Sequence, residues 1–150
     1  MKLLVTGDRR WSDYRLIEHW LTLLKPRLVI HGRAYGADRL AGQAAEALEI
    51  ETISQAANWT RYGKAAGPLR NQQMIDKHKP THVIAFHHDL TQSRGTRDMV
   101  KRSLTAKLKP LQVRGKGKGV RLVVGWDTIG NEFIYSPLQD LARWVKLGRA

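Results

Sequence analysis

The 150-residue chain has no cysteine. That excludes a disulfide framework and thiolate metal sites, and it suits a reducing compartment. Long apolar runs are also missing. The opening Met1–Gly7 reads as a buried strand and is too short for a signal peptide or a membrane span. A cytoplasmic protein with no membrane partner is therefore expected. Acid is scarce, with 13 Asp+Glu against 26 Lys+Arg, a net charge of +13. Such a balance attracts polyanions. Two phosphate-binding signatures are absent as well. Without a G-x-G-x-x-G turn, the usual mode of NAD binding has no support, and without the P-loop lysine motif neither does ATP hydrolysis by that route.

What remains is a globular composition, 42% apolar, of a size that suits one core. Short apolar runs alternate with amphipathic stretches. Leu3–Thr6, Leu28–His31, Glu51–Ser54, His82–Phe86 and Leu111–Val113 read as strands. A first helix, capped by Ser12, carries Leu16, Ile17, Trp20, Leu21 and Leu24 on one stripe and ends at Pro26. A second runs from about Gly36 to Leu48, a third opens at Pro68, and a fourth spans about Thr96 to Lys107. This alternation predicts an α/β fold, a Rossmann-like parallel sheet with helices on both faces. The pattern changes after the glycine–lysine segment Arg114–Gly119. Val120–Gly125 and Glu132–Tyr135 predict a β-hairpin, and Ser136-Pro137 a final helix with Leu138, Leu141, Ala142 and Val145 on one face. The expected organisation is a nucleotide-binding core over 1–113, with a basic linker, hairpin and helix appended over 114–150.

Open parallel sheets bind ligands beyond the carboxyl ends of their strands. The stretch His31-Gly-Arg-Ala-Tyr-Gly-Ala-Asp38 lies at such an end. Gly32 and Gly36 permit close backbone approach, a helix starting near Gly36 offers free N–H groups to an anion, and Asp38 suits the helix dipole or a ribose hydroxyl. An ordinary strand-to-helix turn would look the same. Ser93-Arg94-Gly95-Thr96 repeats the arrangement after the fourth strand, where Thr96 could simply cap its helix. The first loop, Thr6-Gly7-Asp8-Arg9-Arg10-Trp11, adds Arg9 and a ring. In the segment Asn58 to Met74, Trp59 and Tyr62 are candidates to stack on a base together with Trp11, and Arg70 and Asn71 would face the same edge.

Lys101, Arg102, Lys107, Lys109, Arg114, Lys116, Lys118 and Arg121 follow one another with no acid between them. A solvated surface accounts for them, and so does a phosphate-binding face for nucleic acid. His87-His88-Asp89 suggests a metal at first sight, but adjacent residues leaving a strand point apart and no further ligands join them. No metal and no cofactor is expected.

Together Thr6-Gly-Asp-Arg9, His31 to Asp38, the Trp-x-x-Tyr-Gly-x-x-Ala-Gly-Pro-x-Arg-Asn-x-x-Met pattern ending at Met74, and Ser93-x-Gly-Thr96 resemble the YspA/cpYpsA-related family of the SLOG superfamily. The resemblance spans about Met1 to Val113. It implies a Rossmann-like sheet that binds a nucleotide or nucleotide derivative, in a family common in phage genomes and often paired as homo-oligomers. Relatives in the superfamily imply two alternatives. One is phosphoribohydrolase chemistry like that of the Lonely Guy enzymes, with catalytic Arg70 and Asp98. The other is single-stranded DNA binding like that of DprA. The glutamate of the Lonely Guy motif falls at Met99 here, with Asp98 one residue early. Since glycosidic cleavage calls for a carboxylate, the resemblance leaves open whether this chain is an enzyme.

Overall fold

A computed structural model describes residues 1–147. Five strands, β1 (Lys2–Gly7), β2 (Leu28–His31), β3 (Glu51–Ser54), β4 (His82–Phe86) and β5 (Leu111–Val113), are parallel. Two more, β6 (Val120–Asp127) and β7 (Glu132–Pro137), continue the same sheet antiparallel, in the order β3-β2-β1-β4-β5-β6-β7. The fold is thus α/β, and the order reverses direction between β1 and β4. Leu3, Leu4, Val5, Val83, Ile84, Ala85 and Phe86 are all fully buried, which explains why the central strands read as unbroken apolar runs.

Helices α1 (Tyr14–Leu24) and α2 (Ala37–Ala47) cover one face. Ile17, Trp20, Leu21 and Leu24 of α1 pack on Leu3, Val5, Val29 and Ile84. Alanines 41, 44 and 45 let α2 lie close to both α1 and the sheet. Asp13 rather than Ser12 caps α1, its Oδ1 accepting from the Leu16 N–H at 3.1 Å. The opposite face carries α4 (Ala66–His78) and α5 (Arg94–Thr105), whose Met74, Ile75 and Met99 meet Leu4, Ile30 and Val83. Helix α4 starts two residues before Pro68, which sits in its first turn where no N–H is missed. The one-turn helix α3 (Trp59–Tyr62), capped by Asn58, and a 3₁₀ turn at Gly63–Ala65 organise the long segment before α4. Helix α5 begins at Arg94 because the Ser93 hydroxyl, not Thr96, caps it.

Strand β6 pairs with β5, and β7 with β6 across a bulge at Val123/Gly125. Val123 and Phe133 close a third apolar cluster with Ala85, Leu90 and Val100. Pro137 is the last residue of β7, so the final helix, α6 (Leu141–Lys146), starts later than expected and is capped by Asp140. Its buried contact is Trp144, flanked by Leu138 and Leu141, while Ala142 and Val145 face solvent. The indole N–H of Trp144 donates to Lys109 O at 2.9 Å, and its ring meets His82 edge-on. No helix among the described residues is long and apolar enough to cross a membrane.

Candidate functional site

The loops leaving β1, β2 and β4 meet at the carboxyl edge of the sheet. Asp8 N–H donates to Phe86 O at 2.9 Å, and Asp8 O accepts from Trp11 and Ala37 N–H groups. Gly36, at φ +76°, brings its α-carbon onto this turn, and a β-carbon there would lie 2.5 Å from the Arg9 carbonyl. A β-carbon on Gly7 would lie 2.6 Å from that of Ala37, so Gly7 serves the packing of α2 on β1. The Arg9 side chain is exposed at the rim.

Arg70 joins this edge to the helices of the opposite face. Its Nη1 donates to Gly32 O and, at 3.5 Å, to Gln55 O at the end of β3. Its Nε donates to Asn71 Oδ1 at 3.0 Å. Among the described residues Nη2 has no partner. Asp38 closes the loop from beneath, Oδ2 accepting from Gly32 N–H at 2.9 Å and Ala34 N–H at 3.4 Å. Asn71 is buried, and its Nδ2 donates to Asp98 Oδ2 at 2.9 Å and Gly95 O at 3.3 Å. Gly32, Asp38, Arg70, Asn71, Gly95 and Asp98 therefore form one connected network drawn from four segments.

Burial sets the electrostatics. Asp38 is 5% exposed, and desolvation raises its carboxyl to about 6 against the pull of Arg70 and the two N–H donors. His31 is lowered to about 4 by burial, with Arg33 and Arg70 adding to the effect. At neutral pH it is uncharged, and its Nδ1 accepts from Arg33 N–H at 3.2 Å. Burial also lowers Arg70, opposed by Asp38 and Asp98.

Asp98 is engaged from α4 and from its own helix. Its Oδ2 also takes the Arg102 Nε at 2.8 Å, and Arg102 Nη1 reaches Gln72 Oε1, so Asp98 ties α5 to α4 and positions Asn71. Met99 is fully buried in the core. The carboxylates of this network are Asp98, engaged by Asn71 and Arg102, and the buried Asp38. Thr96 is buried at 3.2 Å from the Ser93 hydroxyl, inside the cap. Gly95 faces open space: a β-carbon there would meet nothing within 4 Å.

Of the three rings expected to stack on a base, Trp11 is withdrawn into the core. It is 5% exposed, lies 5.0 Å from His88 and 5.6 Å from Phe86, and donates its indole N–H to Asp13 O. Trp59 and Tyr62 are 60% and 41% exposed, with Trp59 lying over Gly67 one turn before Arg70 and the Arg61 guanidinium 5.2 Å over the Tyr62 ring. Tyr35, 60% exposed beneath the Arg39 guanidinium, joins them. Sequence reasoning passed over Tyr35, His31 and Gln55. The first two lie inside the glycine-bearing stretch, and Gln55 directly follows a strand, which is the signal that could have marked it.

The basic run does not form one face. Lys107 and Lys109 lie at the amino ends of the strands beside Trp144, whereas Arg114, Lys116 and Lys118 follow the carboxyl end of β5. Lys101 sits 3.6 Å above the Trp126 ring, and Arg102 is paired with Asp98. The helix and the strand between these residues separate them. Among the described residues no three His, Asp or Glu side chains gather as metal ligands.

A mixed α/β sheet with five parallel strands and a glycine-lined, arginine-bearing carboxyl edge defines a protein of the Rossmann-like class. The chain belongs to the YspA, cpYpsA-related SLOG family, whose model matches residues 1–62, from β1 to the end of α3. It is also similar to the Gene 61 protein of Mycobacterium phage D29, with 33% identity over 84 residues, covering 49% of this chain and 67% of that one. The family match includes Gly7, Gly32, Gly36 and Asp38 and stops short of Arg70.

Proposed function

We propose that this edge binds a small nucleotide-type ligand, sensing, sequestering or presenting it, with the phosphate beside Arg70. Family membership and the sheet architecture support the class of ligand. The observation that carries the reading is the placement of Arg70. Its guanidinium is held on three sides by Gly32 O, Gln55 O and Asn71, leaving Nη2 to a ligand. A fixed, partly desolvated guanidinium is a strong oxyanion donor. The first turn of α5, open above Gly95, adds the positive end of a helix. Trp59 and Tyr62 supply partly exposed rings for a base.

Binding without hydrolysis fits the placement of Asp98 and Met99 better than phosphoribohydrolase chemistry does. Thermal denaturation across a panel of nucleotides and cyclic nucleotides tests the reading. At least one nucleotide raises the Tm of the wild type, and Arg70→Ala abolishes the rise. A panel with no rise removes the proposal.

A further inference from the structure

Away from Arg70, the face of the sheet that carries α5 holds a second group of polar side chains. Gln112 on β5 is fully buried; its Nε2 donates to His87 O at 2.9 Å and its Oε1 accepts from Arg121 Nε at 2.8 Å. The Arg121 guanidinium lies 3.4 Å over the Tyr135 ring. Arg114 and Arg121 are brought to the same end of the β5–β6 pair, where Gln112 faces Arg121 and Arg114 N–H donates to Gly119 O at 3.1 Å; burial raises the Tyr135 hydroxyl, with the two arginines acting against it. Arg114 Nη2 donates to Lys118 O at 2.7 Å, but its Nε is buried with no acceptor. Buried donors are rarely left so.

Neither arginine has a carboxylate partner: among the described residues the only ion pair joins Arg102 to Asp98. Asp89 acts on Tyr135 in the same sense as burial, and its Oδ1 is already engaged by the N–H and hydroxyl of Thr91. Lys116 and Lys118 add charge on the same loop, where Lys116, Gly117 and Gly119 take positive φ. Four cations within eight residues, one with an unsatisfied buried donor, lack a counter-ion.

We propose that Arg114, Arg121 and the Tyr135 hydroxyl form a second oxyanion site, for a phosphate or phosphomonoester group, on the β5–β7 flank. Paired guanidinium forks and a hydroxyl match the tetrahedral oxygens of such a group. The glycine loop lets Arg114 swing from Lys118 O onto the anion, which removes the orphaned donor. Gly32 follows β2 and Arg121 lies on β6, strands four positions apart, so the two sites lie about 19 Å from each other at about 4.8 Å per strand.

The test uses the full chain carrying Arg70→Ala, so that the first site is silent. Its Tm is measured with sodium phosphate and with sodium pyrophosphate against sodium chloride at matched ionic strength, and the arginine Nε–H signals are followed by NMR. We expect a rise of several degrees with the phosphates alone, shifts at Arg114 and Arg121, and loss of the rise on adding Arg114→Met. Tyr135→Phe, which keeps the ring, weakens the response severalfold and covers the case in which Arg114→Met fails to fold. No phosphate-specific rise in the Arg70→Ala chain overturns the proposal, as does a rise that survives Arg114→Met or, where that variant does not fold, Tyr135→Phe. Failure here leaves the Arg70 site standing, because that site is read from the nucleotide response of the wild type.

Discussion

The Arg70 guanidinium occupies the space that a side chain on Gly32 would fill. A β-carbon on Gly32 would lie 2.6 Å from Arg70 Cζ. The absence of a side chain on one strand end thus fixes the position of a charge that comes from a helix 38 residues later. Gly32→Ala should act as an arginine mutation at a distance. The flexible end of Arg70 can yield, so Tm should change little, while nucleotide affinity falls by about 10- to 100-fold, the value of a charged hydrogen bond. Calorimetric titration beside Arg70→Ala checks that the two losses match.

Asp38 and His31 make opposite contributions to the pH dependence of stability. The Asp38 carboxyl is raised from 3.8 to about 6, so the folded state binds its proton first, and its contribution is lost as pH rises from about 4 to 6. His31 is lowered from 6.5 to about 4, so its contribution is present above pH 6.5 and lost as pH falls toward 4. The two nearly cancel in the wild type. Asp38→Asn should leave a chain that loses more stability than wild type between pH 6.5 and 4; His31→Gln should lose less. Each difference is on the order of 2–3 kcal/mol, read from urea unfolding at pH 7, 5.5 and 4.

Asp98 couples α4 to α5 through Asn71 and Arg102. Asp98→Ala should cost about 1–3 kcal/mol of stability and weaken ligand binding by releasing Asn71. Incubation of both proteins with nucleoside monophosphates, followed by chromatography for free base, should show release from neither.

The two tryptophans of the long loops should separate cleanly. Trp11→Ala opens a cavity between Phe86 and His88 and should cost about 3–5 kcal/mol. Trp59→Ala, at an exposed position, should leave Tm within a few degrees and weaken nucleotide binding, without affecting ribose 5-phosphate. Paired melting and titration of each variant distinguish core from contact.

The parallel core was legible because its strands are buried on both faces and read as unbroken apolar runs, from Leu3–Val5 to Val83–Phe86. The glycines at 32 and 36 and the arginine at 70 pointed to the strand edge by their place after strands and at a helix start. Sequence could not show that Trp11 is core, because its burial depends on Phe86 and His88, which arrive from β4. Nor could it show that the basic run is divided, since neighbours along the chain part company when β5 crosses the sheet from one end to the other. The late start of α6 has a local cause: Pro137 suits a helix start but also ends a strand at the sheet edge, where no N–H is needed.

The central claim is that Arg70, with the first turn of α5, holds a phosphate. The most direct measurement is the affinity of a nucleotide chosen from the panel and of its parent nucleoside, each for wild type and for Arg70→Ala. The account predicts that the phosphate improves wild-type binding by about 100-fold or more and that this advantage collapses in the variant. Equal binding of nucleotide and nucleoside by the wild type, or an advantage that survives Arg70→Ala, would contradict it.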